Sequence, residues 1–130
     1  EIKKLRDEIA PQTLLTVNGD VKNRAHGEAL AKEYGVEGIM IGRGIFKDPF
    51  AFSNGHTPTQ EELLRLLQYH LDLFDRYTTE LEPRSFDPLK RFFKVYLHDF
   101  PGASELRERL MHTKNTDEVR AILTEHSLLT

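Results

Sequence analysis

The 130-residue sequence contains no cysteine. It therefore forms no disulfide and offers no cysteine-based zinc site, which fits a reducing compartment such as the cytoplasm. No apolar run approaches the roughly 18 residues of a membrane-spanning helix, and no signal-like segment opens the chain. Surplus positive charge is also lacking, since 18 Lys and Arg stand against 21 Asp and Glu for a formal net charge of −3. A chain of that balance does not hold polyanions by bulk charge, so any nucleic-acid surface has to be local. The six histidines, His26, His56, His70, His98, His112 and His126, show no HExxH pattern and no paired-ligand spacing, and no metal is expected.

Glycine is present but unevenly spread, with Gly102 alone falling after residue 55. That shift divides the chain into residues 1–55, strand-like and glycine-rich, and residues 56–130, helical throughout. The opening "EIKKLRDEIAP" has Ile2, Leu5 and Ile9 three and four apart, the last turns of an amphipathic helix stopped by Pro11. It begins without Met and without a helix start signal, and so reads as a piece of something longer. Thr13 to Val17 reads as a buried strand. Ala25 to Tyr34 reads as a helix with Ala29, Leu30 and Tyr34 on one side and Gly35 as its left-handed cap. Ile39, Met40 and Ile41 form the next strand. Strand, helix and strand within about 30 residues is a βαβ unit, whose strands are parallel.

In the second region, "TPTQEELLRLLQYHLDLFDRY" opens with overlapping capping boxes and places Leu63, Leu67, Leu71 or His70, Phe74 and Tyr77 on one face. Asp87-Pro88 starts a helix carrying Leu89, Phe92, Phe93, Tyr96, Leu97 and Phe100, ended by Pro101-Gly102. Leu106, Leu110 and Met111 imply a third helix, and Thr116 is expected to cap a fourth. The expectation is an all-α helical bundle.

Two glycine turns stand at the C-terminal ends of the two strands: Asn18-Gly19-Asp20 and Gly42-Arg43-Gly44. Loops at such ends commonly build phosphate sites in (β/α)8 barrels, where glycine lets backbone N–H groups approach an anion and arginine adds a fork of donors. Taken singly, each turn is equally a tight connection, with Arg43 a solvated side chain. Their occurrence on consecutive strands favours the anion site.

These residues carry a resemblance. "VNGDV" followed by "GVEGIMIGRGIFKDPF" resembles the last two barrel strands of the tRNA-dihydrouridine synthases, and "KRFFKVYLHDFPGASELRERLMHTKNTDEV" is similar to that family's C-terminal helical domain. The resemblance implies the last βαβ of an FMN-binding TIM barrel over residues 1–55 and a tRNA-binding domain over 56–130. It places Asn18, Gly19, Asp20, Gly42, Arg43 and Gly44 at the FMN phosphate, and Lys90, Arg91, Lys94, Arg107 and Arg109 toward tRNA. Phe92 and Val95 stand where the family commonly has His and Trp. The implied reaction is reduction of a tRNA uridine to 5,6-dihydrouridine by reduced FMN, with NADPH as the source of electrons. The catalytic cysteine of the family belongs upstream, so this segment alone is expected to be inactive.

From residues alone, the five cations read equally as a solvated face beside Asp99, Glu105 and Glu108. Phe92, Phe93, Tyr96 and Phe100 read as core rather than as base-stacking platforms, and His70 as a half-buried helix residue. Two rival functions remain: another FMN barrel oxidoreductase acting on a small molecule, and a noncatalytic RNA-binding module.

Overall fold

The structure is a computed structural model that describes residues 1–126 and 128; residues 127, 129 and 130 of the expected helical region lie outside the described residues. The chain divides into two compact units, Glu1–Thr57 and Pro58–Thr130.

In the first unit, helix α1 (Ile2–Ile9) is followed by strand β1 (Thr16–Val17), helix α2 (Arg24–Tyr34), strand β2 (Gly38–Ile39) and a single 3-10 turn at Arg43–Phe46. The strands pair in parallel, Thr16 with Gly38 and Val17 with Ile39. Both are shorter than the sequence suggests, because extended backbone is held only where a neighbouring strand answers it. Flanking bonds lengthen the contact slightly: Leu15 O accepts from Glu37 and Gly38, and Met40 N–H donates to Val17 O at 2.9 Å.

Helix α2 starts where the Asn23 side chain accepts from the His26 N–H, and it ends at Gly35 with φ 61°, a left-handed conformation open to glycine at little cost. Its packed face differs from the expected one. Ala29 and Tyr34 are exposed, Leu30 is half-buried, and the buried residue is Gly27. A Cβ at Gly27 would lie 2.9 Å from Ile39 Cδ1, so the helix rests on β2 at a distance that only glycine allows. Val21, Ile41 and Ala51 form the small core, with Leu30 and Ile45 against it. The apolar residues of α1, Ile2, Leu5 and Ile9, are exposed. That helix is held instead by Arg6, which donates to the Thr13 carbonyl and to both Glu37 oxygens, at 3.1 and 2.9 Å.

The second unit contains α3 (Gln60–Glu80), α4 (Asp87–Lys90), α5 (Phe93–Tyr96), α6 (Ala103–Met111) and α7 (Thr116–Glu125). A reciprocal box starts α3: the Glu62 N–H donates to Thr59 Oγ1 at 3.2 Å, and the Thr59 N–H donates to Glu62 Oε2 at 2.8 Å. Leu67 and Leu71 from α3 pack with Phe93, Leu97, Leu106, Leu110, Val119 and Leu123 in one fully buried cluster. Each such side chain contributes about 1.5–3 kcal/mol by leaving water.

Four expectations are corrected here. The helix expected from Asp87 to Phe100 is two single turns, α4 and α5, joined through Arg91 and Phe92. Three-residue bonds, Phe92 N–H to Leu89 O at 3.0 Å and Val95 N–H to Phe92 O at 2.8 Å, tighten the chain between them. That tightening lets Val95 be buried together with Phe93, two residues that an ideal α-helix would hold on opposite sides. Tyr77 and Met111 are exposed rather than in the core. The cap of α7 is Asn115, whose side chain accepts from the Glu118 N–H, whereas Thr116 is buried and its hydroxyl donates to Asp75 at 2.6 Å.

Candidate functional site

The two glycine turns converge because Gly44 has no side chain. A Cβ there would come 2.7 Å from the Val21 carbonyl oxygen, 2.9 Å from the Lys22 carbonyl oxygen and 2.9 Å from Ile41 Cγ2. The second turn is thus seated directly on the backbone that follows the first. The first turn reverses through Gly19 at φ 118° and Asp20 at φ 49°, with the Gly19 N–H donating to Asn18 Oδ1 at 2.8 Å. Asn18 therefore shapes the turn. In the second turn the Gly42 carbonyl accepts from the Ile45 N–H at 3.2 Å and starts the 3-10 turn.

A cavity of about 480 Å³ opens between these loops, lined by Asp20, Val21, Lys22, Asn23, Arg43, Gly44, Lys47 and Asp48. Of the residues singled out in the sequence, Asp20, Arg43 and Gly44 lie on its wall, while Asn18, Gly19 and Gly42 form the turns beside it. Arg43 donates to the Asp20 carboxylate across 23 residues of sequence, and both side chains are largely exposed, at 85% and 81%. Asp48 accepts from the Phe50 N–H at 2.8 Å. Lys22 and Lys47 were missed by sequence reasoning. No motif marks them, and the only available signal was that each closely follows one of the two turns.

Beneath the turns, Glu37 accepts two N–H bonds from Arg6 and one from the Leu15 backbone at 2.8 Å. The Arg6 guanidinium first, and the Leu15 N–H after it, hold the Glu37 carboxyl down at about 2.

In the second unit the five candidate cations differ in how they are engaged. Lys90 pairs with Asp87 at 2.8 Å and lies over the Phe86 ring, leaving 13% of its side chain exposed. Lys94 lies beyond the break between α4 and α5, on a separate turn from Lys90. Arg107 donates to the Leu97 carbonyl at 2.6 Å, and Arg109 pairs with Glu125 at 2.7 Å. Arg91, over the Phe92 ring at 5.0 Å, and Lys94 are exposed. His70 is half-buried, its Nδ1 3.0 Å from the Tyr96 hydroxyl, and desolvation holds it below the usual histidine range. Among the described residues no group of three or more His, Cys, Asp or Glu is placed to hold a metal ion, and no helix is long and apolar enough to cross a membrane.

The first unit is of the parallel α/β class, with a cavity lined by three cations and two carboxylates where the C-terminal ends of its strands run into glycine turns. The chain belongs to the dihydrouridine synthase family, whose sequence profile it matches over residues 1–129. It is 60% identical over 126 residues to the protein named "Probable tRNA-dihydrouridine synthase 2" of Bacillus subtilis, an alignment covering 96% of this chain and 38% of that protein. It is 54% identical over 125 residues to the "Probable tRNA-dihydrouridine synthase" of Staphylococcus aureus, covering 95% of this chain and 38% of that one. The chain thus spans about 38% of the length of these curated relatives.

Proposed function

We propose that the chain is the C-terminal part of a flavin-dependent tRNA-dihydrouridine synthase, which reduces uridine to 5,6-dihydrouridine in tRNA. The first unit is read as the closing βαβ of a (β/α)8 barrel and the second as the domain that holds the RNA. The observation that carries this reading is the Gly44 contact, which brings the second turn onto the backbone after the first around a cavity lined by three cations and two carboxylates.

The residues present fit the phosphate of FMN. Gly44 exposes backbone at the cavity wall, Gly19 and Asp20 take left-handed conformations that turn the first loop, and Arg43 offers guanidinium donors. Asn18, Gly19, Asp20, Gly42, Arg43 and Gly44 are the proposed cofactor residues. Reduced flavin supplies a hydride, and NADPH supplies the electrons to the flavin. The Cys that protonates the reduced base is assigned to the rest of the protein.

Arg91 and Lys94 are the proposed first contacts with tRNA phosphates, since both are exposed and neither is engaged by a carboxylate among the described residues. Arg107 and Arg109 join them only so far as their bonds to Leu97 and Glu125 allow. A base must leave its stack before a hydride can reach it, which costs a few kcal/mol and gives a separate RNA-holding unit its purpose. A small-molecule FMN reductase accounts for the turns and leaves the second unit without a task. Cytoplasmic tRNA is the proposed substrate pool.

The experiment is to incubate full-length protein carrying this chain with unmodified tRNA and NADPH, with and without flavin removal. Dihydrouridine formation that is lost with the flavin is expected. Flavin-dependent oxidation of NADPH by small enones, with no dihydrouridine formed, would overturn the reading.

A further inference from the structure

We infer that Lys22 and Lys47 supply the net positive charge of the phosphate site, and that Arg43 acts chiefly as the partner cancelling Asp20. The inference rests on the FMN reading above and names the residues that make this site selective for a phosphorylated flavin. Three cations and two carboxylates line the cavity. Arg43 is tied to Asp20, so the pair adds donors but no net charge. Asp48 is turned to the Phe50 N–H, and it offsets one further cation. The remaining positive charge comes from the two lysines, neither of which has a carboxylate partner among the described residues.

Both lysines are fixed to the contact that creates the cavity. The Lys22 N–H donates to His26 Nδ1 at 3.2 Å, and its carbonyl oxygen is one of the atoms against which Gly44 is seated. The Lys47 N–H donates to the Gly44 carbonyl at 3.0 Å, one 3-10 turn further on. Lys22 and Lys47 thus line the cavity from the two backbone segments that meet at Gly44. A phosphate monoester carries close to two negative charges at neutral pH, and a neutral Arg43–Asp20 pair would not balance them. An RNA phosphodiester presents the same oxygens with a single charge, and the test separates the two.

Flavin fluorescence titrations with full-length apoprotein compare FMN, riboflavin and tRNA. Replacing Lys22 and Lys47 with Ala is expected to weaken FMN about tenfold or more while riboflavin and tRNA stay unchanged. A Lys22→Met, Lys47→Met variant, which keeps the apolar stems, should behave alike at an unaltered melting temperature. Arg43→Ala should weaken FMN through the bared Asp20 carboxylate, and adding Asp20→Asn should restore most of the loss. An unchanged preference for FMN over riboflavin in the lysine variants overturns the inference, as does a loss confined to tRNA. If Asp20→Asn fails to rescue Arg43→Ala, Arg43 itself is the phosphate cation and the inference falls. Wild-type protein that binds neither flavin removes the FMN reading itself, and this inference with it.

Discussion

The Lys90 ammonium is held 2.8 Å from the Asp87 carboxylate and lies 5.7 Å from the centroid of the Phe86 ring. A lysine so engaged belongs to the packing of its own turn. Lys90→Ala is therefore expected to cost roughly 0.5–1 kcal/mol of stability through the lost ammonium–ring contact and ion pair. tRNA affinity should not move. Arg91→Ala with Lys94→Ala should do the reverse, leaving melting unchanged while lowering the salt slope of tRNA binding by about one to two units, uniformly across tRNA sequences. Binding measured over a series of salt concentrations decides it; a Lys90 variant that weakens tRNA would return that residue to the RNA surface.

Gly44→Ala and Gly42→Ala make a matched pair. The first would push a methyl into the carbonyls of Val21 and Lys22, while at Gly42 nothing lies within 4 Å. Overpacking of the Gly44 kind costs about 1–3 kcal/mol. Thermal melts should show a clear loss for Gly44→Ala and little for Gly42→Ala.

Glu37 gives the first unit an acid limit. Its carboxyl is held at about 2 against an ordinary 4.5, so its stabilising bonds to Arg6 and Leu15 are fully present above about pH 4.5 and are lost as pH falls toward 2. Glu37→Gln should melt lower than wild type at pH 7, and the difference should shrink on acidification. A gap that stays constant from pH 7 to pH 3 would show that the charge of Glu37 contributes nothing.

Residues 58–130 are expected to unfold cooperatively when produced alone, since their buried cluster is closed among their own helices. Within that piece, Asn115→Ala removes the acceptor for the Glu118 N–H and should cost about 1 kcal/mol. A noncooperative melt of the isolated piece would refute the first expectation, and an unaltered midpoint in the Asn115 variant the second.

The features legible in the sequence were those decided by neighbours in the chain. The Thr59–Glu62 box and the left-handed Gly35 depend on side-chain and backbone groups within a few residues, and both are present. What escaped was decided by distant partners. Asn115 and Thr116 are both competent caps, and Thr116 is drawn inward by Asp75, 41 residues away. Arg107 and Arg109 read as free cations until the fold supplies the Leu97 carbonyl and Glu125, 10 and 16 residues away. Lys22 and Lys47 belong to no pattern, and only the closure of Gly44 onto Val21 brings their loops together. The face of α2 was legible only in part: of Ala29, Leu30 and Tyr34, to which the apolar spacing pointed, Leu30 packs against the small core, while the closest approach is made by Gly27, a residue with no side chain.

The parallel pairing of β1 with β2 also sets an order of events in refolding. Its first register contact, Thr16 with Gly38, joins residues 22 positions apart with α2 between them. No hairpin turn can nucleate such a ladder, and the loop entropy has to be met before any strand bond rewards it. Local helix formation takes about a microsecond or less, so α2, with Asn23 and Gly35 marking its ends, is available first as a strut of fixed length. Amide protection in the chain of α2 should then precede that of Gly38 and Met40, and a helix-weakening change on its exposed face, such as Ala29→Gly, should slow the docking of the two strands although it touches neither of them.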